Sequence, residues 1–269
     1  MRTISLALRN LLRNRRRSLT TLLAMVIGLV AILIFGGYRS NITYGSETGF
    51  VQGSGHLQIQ PKDYFSEGGD NPTAYGINDY GRIIADIQHD EVLKKMVLVV
   101  TPTLQFGGIA ANYAANVSRT IIGNGFVAAD RNRMRLWNDL DLSTKAPPSA
   151  LEGAPPDAVV VGTGVARVLQ LCDALKIVDC PRPAKERKPE GKSLPDDIAQ
   201  LSLQEAPAKA TAAQEGVHPR IDVLVAGTQG APNVASLEVI GAEDQGVKEL
   251  DDVYLMMNLA QLQKLIYGK

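Results

Sequence analysis

Residues that carry chemistry are scarce in this chain. It has three histidines, His56, His89 and His218, too scattered to supply a metal-ligand spacing. The zincin motif H-E-x-x-H, the nucleophile elbow G-x-S-x-G and the phosphate loop G-x-x-x-x-G-K-[ST] are all missing. Net charge is missing too, because 28 basic residues balance 28 acidic ones, so nothing points to nucleic acid. Gly162-Thr163-Gly164 superficially suggests a dinucleotide loop, but Arg167 stands where the third glycine belongs, and the motif reads as a strand-to-helix turn. Asp70, Asp79, Asp251 and Asp252 fall in loops or caps. No catalytic constellation emerges, so the chain reads as a non-enzyme that needs no cofactor. Cysteine is nearly absent. A short loop separates Cys172 from Cys180, which can close as a disulfide in an oxidising compartment; the alternative is two unrelated thiols.

What is abundant is apolar sequence at one end. Ser18 to Tyr38 contains no charged side chain and is dominated by Leu, Val, Ile, Ala, Met and Phe. At about 1.5 Å per residue, roughly 20 such residues cross a hydrocarbon core about 30 Å thick. Thr20 and Thr21 sit at the start of the run, where their hydroxyls can bond back to helix carbonyls. The preceding flank carries Arg2, Arg9, Arg13, Arg15, Arg16 and Arg17 and no acid. That asymmetry predicts a cytoplasmic N-terminus. A cleaved export signal fits less well, since the run is too long and ends in Phe35-Gly36-Gly37-Tyr38-Arg39 with no small-x-small site. Residues 1–17, with Ile4, Leu8, Leu11 and Leu12 at helical spacing, read as a cytoplasmic amphipathic lead-in helix whose arginines face anionic headgroups; the alternative is the helical cytoplasmic end of the membrane segment itself.

Beyond residue 38 the pattern is that of a mixed domain. His56–Gln60 alternates like a strand, Asn78 caps a helix with Ile83, Ile84 and Ile87 as its apolar stripe, and Val97–Thr103 reads as a strand. Together these predict a βαβ-like unit. Two strands are expected on either side of Ala110–Asn112, then a helix over Asp130–Leu140 with Trp137 as its apolar anchor. A strand at Asp157–Val161 leads into a helix, and Leu175–Val178 reads as another strand. Residues 181–216, rich in Pro, Lys, Glu, Ala and Gln, predict a solvated, mobile insert. Strands Ile221–Thr228, Ser236–Gly241 and Asp252–Met257 and a helix over Leu259–Ile266 close the chain.

The order of these pieces resembles the MacB/FtsX-like permease subunits of ABC transporters, the group that includes the lipoprotein-release permeases. Leu6–Arg17 is similar to that family's arginine-rich start, Gly53–Gln60 to its first periplasmic strand, and Pro102–Gly123 to its segment ending in Ile121-Ile122-Gly123. Ala158–Val178 is similar to its strand–glycine–helix segment, although Cys172-Asp173-Ala174 replaces the usual Gly-Asp. Val239-Ile240-Gly241, Glu249–Asp252 and Leu259–Gln263 match its closing segment.

The resemblance implies an α+β fold: one transmembrane helix over 18–38, then a periplasmic MacB-like domain of βαβ units with an inserted β-rich subdomain. The porter-like subdomain would comprise 39–103 and 221–269, and the insertion 104–220. It implies the first part of a longer permease of the bacterial inner membrane. The partners implied are a cytoplasmic ABC ATPase subunit, a second permease subunit, membrane lipid, and a periplasmic or lipoprotein partner. The work implied is lipoprotein release or efflux of a small molecule or peptide. A single-span periplasmic adaptor or sensor that binds a partner without an ATPase is the alternative.

Overall fold

The computed structural model describes residues 13–68, 72–142, 147–177, 180, 218–227 and 232–268. Residues 1–12 of the lead-in helix expected over 1–17 and the insert expected at 181–216 therefore lie outside the described residues, as does Asp70. Helices are α1 (Arg15–Ser54), α2 (Tyr64–Glu67), α3 (Tyr80–His89), α4 (Leu93–Met96), α5 (Ala128–Arg135), α6 (Thr163–Val168), α7 (Lys248–Asp251) and α8 (Leu259–Tyr267). Strands are β1 (Thr103–Asn112), β2 (Val117–Phe126), β3 (Ala158–Gly162), β4 (Arg220–Ala226), β5 (Pro232–Glu243) and β6 (Tyr254–Asn258). The chain divides into two compact units, one of residues 1–57 with 136–146, the other of 58–135 with 147–269.

The first unit is dominated by α1, 40 residues without a proline, or about 60 Å of helix. The Thr20 and Thr21 hydroxyls each donate to the Arg17 carbonyl at 2.9 Å, as their position suggests. The helix does not stop at Tyr38. It runs on through Arg39–Ser54 and ends at Gly55, whose N–H donates to the Val51 carbonyl at 2.8 Å.

The second unit is built on a closed six-stranded barrel in the order β1-β2-β6-β3-β5-β4. Neighbours β2 and β6 are parallel, as are β3 and β5; the other four pairs are antiparallel. Exchanging β1, β2 and β3 for β4, β5 and β6 leaves this pairing scheme unchanged. The registers agree. Ala110 opposes Val223, flanked by Ile109–Leu224 and Ala111–Asp222, and Val160 opposes Met256, flanked by Val159–Met257 and Val161–Leu255. The barrel is thus two interlocked ββαβ halves about a pseudo-two-fold axis. Side-chain amides on non-equivalent strands tie the helical segments to the barrel: the Asn112 amide on β1 donates to the Leu169 carbonyl after α6, at 2.9 Å, and the Asn233 amide on β5 to the Leu265 carbonyl in α8, at 2.8 Å.

The core fills the barrel with Phe106, Ile121, Val161, Val223, Leu237 and Leu255, all inaccessible to solvent, and α6 and α8 add Val165, Leu262 and Ile266. Full burial of one such side chain contributes roughly 1.5–3 kcal/mol. The Phe106 ring lies where a side chain on Gly123, its β2 partner, would stand. A smaller cluster holds Phe126, Leu151, Ala158, Val160, Tyr254 and Met256.

The α+β class with one long apolar N-terminal helix stands, but the βαβ arrangement does not. His56–Gln60 and residues 97–102 form no ladder, so α3 has no strands to cross between. Leu57 is 92 % exposed and Ile59 59 %. A closed barrel has no free edge to accept further strands, so alternation at 56–60 finds no partner. The first hairpin turns at Tyr113–Asn116 and not around residue 111, with Asn116 at φ 52°. Helix α5 ends at Arg135, leaving Trp137 outside it. Residues 172–176 are turns rather than the start of a strand, with Lys176 at φ 53°.

Candidate functional site

Helix α1 is long and apolar enough to cross a membrane, and none of its most apolar stretch is buried within the chain. Leu22, Ile27, Leu29, Leu33 and Phe35 all point outward. Arg13, Arg15, Arg16 and Arg17 are exposed at its N-terminal end. Cations there oppose the helix dipole, each at a cost of about 0.3–1 kcal/mol. Attraction to an anionic lipid surface is worth about 1 kcal/mol per arginine, enough to offset that cost.

One buried polar group of the barrel unit is Asp251, 7 % exposed. Its Oδ1 accepts the Thr163 N–H at 2.8 Å, its Oδ2 accepts the Gly164 N–H at 2.7 Å, and the Thr163 hydroxyl donates to the same Oδ2. One carboxylate thereby satisfies two of the orphan backbone donors at the start of α6. Side chains on Gly162 and Gly164 would collide with Asp251 and Asp252, which is why this turn is G-T-G. The motif that resembles a phosphate cradle is filled by the protein's own carboxylate.

A second polar group anchors α5. The Arg135 guanidinium is 11 % exposed and makes a two-pronged bridge to Glu243 on β5, at 2.6 and 3.3 Å. Its Nη1 also donates to the Pro147 carbonyl at 2.8 Å, so one side chain joins the chain leaving α5 to the chain returning at 147. One turn earlier, Asn132 accepts the Ser149 N–H at 2.7 Å and pairs with Glu152. Arg131 lies over the Phe126 ring, 4.7 Å from its centroid, and burial pulls its pKa below the usual guanidinium value. Burial likewise pushes the Tyr254 hydroxyl up.

Between Arg135 and Pro147 the chain joins the first unit. The Gln52 amide on α1 donates to the Trp137 carbonyl at 2.8 Å, and the His56 ring meets the Trp137 indole edge-on, with centroids 5.0 Å apart. Thr48, Val51 and Gln52 lie on one helix face, and Thr48 and Val51 are the buried residues of α1. Asn138 locks the following turn, its amide donating to the Leu142 carbonyl and its oxygen accepting the Leu142 N–H, both at 2.9 Å.

Cys172 and Cys180 are joined as a disulfide, with Cα atoms 6.1 Å apart. His56 meets Trp137, His89 contacts the Ala85 carbonyl, and His218 lies just before β4. Among the described residues no three His, Cys, Asp or Glu side chains converge to hold a metal ion. No family model matches the chain, and no curated protein is detectably similar to it.

Proposed function

We propose that this chain is a permease subunit of a mechanotransmitting ABC system. In this reading α1 is its first membrane helix, and the barrel unit performs work outside the cytoplasmic membrane. The observation that carries the proposal is the continuity of α1. The apolar span 18–38 and the polar stretch 39–54 are one unbroken helix, so a displacement in the bilayer would leave it without a flexible joint. The arginine cluster supports a cytoplasmic N-terminus, and the Cys172–Cys180 pair suits an oxidising periplasm. The family reading rests on the five segments from Leu6–Arg17 to Leu259–Gln263 in their order.

Such a subunit needs a cytoplasmic ATPase and a second permease subunit, and its cargo would be a lipoprotein, a small molecule or a peptide. The test is affinity purification of the full-length protein from bacterial membranes in mild detergent. Recovery of a nucleotide-binding subunit, with ATPase activity in the eluate, is expected. Its consistent absence would overturn the permease reading in favour of a single-span adaptor. Orientation has its own assay. In intact cells whose outer membrane is permeabilised, a membrane-impermeant maleimide should label Ser118→Cys but reach Asn14→Cys only after lysis; the opposite pattern would reverse the topology.

A further inference from the structure

We propose that residues 136–142 are a coupling strap, gripping α1 through Trp137 and tied to β5 through Arg135. The inference rests on the mechanical reading above and names the element through which motion of α1 would reach the barrel.

The strap has two ends and each is built. At the α1 end are the Gln52–Trp137 hydrogen bond and the His56–Trp137 ring contact. At the barrel end Arg135 holds Pro147 and Glu243 together, and Asn132 holds Ser149. A single residue, Leu136, separates the two grips, and the Asn138 lock stiffens the turn just beyond. The other connection from α1 to the barrel runs through residues 55–102, whose longest element among the described residues is the ten-residue α3. Such a segment has many backbone joints at which a small displacement would dissipate. The strap bypasses it.

The pseudo-two-fold barrel gives an independent argument. In the second half β5 reaches β6 through residues 244–253 alone, carrying only the four-residue α7. The equivalent connection in the first half, 127–157, contains α5 and the strap. The excursion that breaks the symmetry is the one that meets α1, so closing the barrel does not require it.

Trp137 is the chain's only tryptophan and serves as its own probe. The experiment is acrylamide quenching of Trp137 in the full-length protein, reconstituted alone in lipid nanodiscs. Gln52→Ala removes about one net hydrogen bond, which shifts the docked-to-undocked ratio of the indole about fivefold. Increased quenching and a red-shifted emission are expected, with a similar change for His56→Ala. Arg135→Lys keeps the charge but loses the two-pronged grip, and should also raise Trp137 quenching although it alters only the barrel end. Glu243→Gln removes the same grip from the other side and replaces Arg135→Lys if that variant does not fold. Unchanged quenching in both the Gln52 and the His56 variant would mean that Trp137 is not seated at the end of the helix. Unchanged quenching in the barrel-end variant would mean that the two grips are independent. Either result overturns the strap. No ATPase or cargo enters the assay, so its failure is distinct from failure to recover a nucleotide-binding subunit.

Discussion

Asp251 shows how much one side chain can organise. It answers three donors at the start of α6 while almost fully buried, so Asp251→Ala leaves two backbone N–H groups without their acceptor. A loss of about 2–4 kcal/mol is expected, and Asp251→Asn, which keeps one acceptor oxygen, should fall between it and the native protein. Chemical denaturation followed by circular dichroism measures both; a native-like midpoint for the alanine variant would remove Asp251 from the fold's essential contacts. Asp157 makes a different prediction. Its carboxylate accepts a hydrogen bond from Arg220 at 2.8 Å, which holds its pKa below the ordinary carboxylate range. A pKa lowered in the folded state contributes stability that is present above the unfolded value and lost as pH falls through the folded one. Asp157→Asn should therefore lower the melting temperature near pH 6 and make no difference once the pH lies below the folded pKa. An equal deficit at both pH values would show that the charge is not what matters. At this scale the sequence was partly legible. Gly162-Thr163-Gly164 was rightly a strand-to-helix turn, yet its capping residue lies 88 positions away along the chain, beyond any local pattern.

At the scale of elements, the uncharged apolar run read α1 well over 18–38 and poorly beyond it. A long apolar run has one physical solution in lipid, because every backbone group must bond within the segment. The continuation Arg39–Ser54 includes Gly45, Gly49 and Gly53, each about 1 kcal/mol less favourable than alanine in a helix, so nothing local announces that it stays helical. The span can be tested directly. Leu29→Arg places a charge near its centre at a cost of about 2.5–3.5 kcal/mol on insertion scales, and should shift the protein out of the membrane fraction or deepen its dependence on the insertion machinery. Unimpaired insertion would argue that the segment does not span. Strands were harder. Those in the barrel were found to within a few residues, apart from the first hairpin turn, whereas Leu57 and Ile59 alternate yet find no partner. Alternation reports a pleat and not the neighbour that completes it.

For the whole molecule, topology was the illegible part. Parallel neighbours β2 and β6 lie more than a hundred residues apart, and β3 reaches its parallel partner β5 across the 181–217 stretch. The pseudo-two-fold arrangement is carried by registers such as Ala110–Val223 and Val160–Met256, not by repeated words in the sequence. The barrel's cohesion predicts that core damage will be global. Phe106→Ala should cost about 3–5 kcal/mol and destabilise both halves together in hydrogen exchange. Loss of protection confined to β1 and β2 would mean that the halves melt separately.

The interlocked order of strands also bears on how the protein is made. Strand β6, the last of the six to leave the ribosome, inserts between β2 and β3, both synthesised long before it. Until it arrives, the edges of β2 and β3 that it pairs with have no partner. If α1 enters the membrane first, this half-built sheet must cross or await export in an adhesive state, the kind of nascent chain that holding chaperones protect. Biogenesis should then be timed by the emergence of Tyr254–Asn258, and a pause in translation just upstream would be more hazardous than one just after.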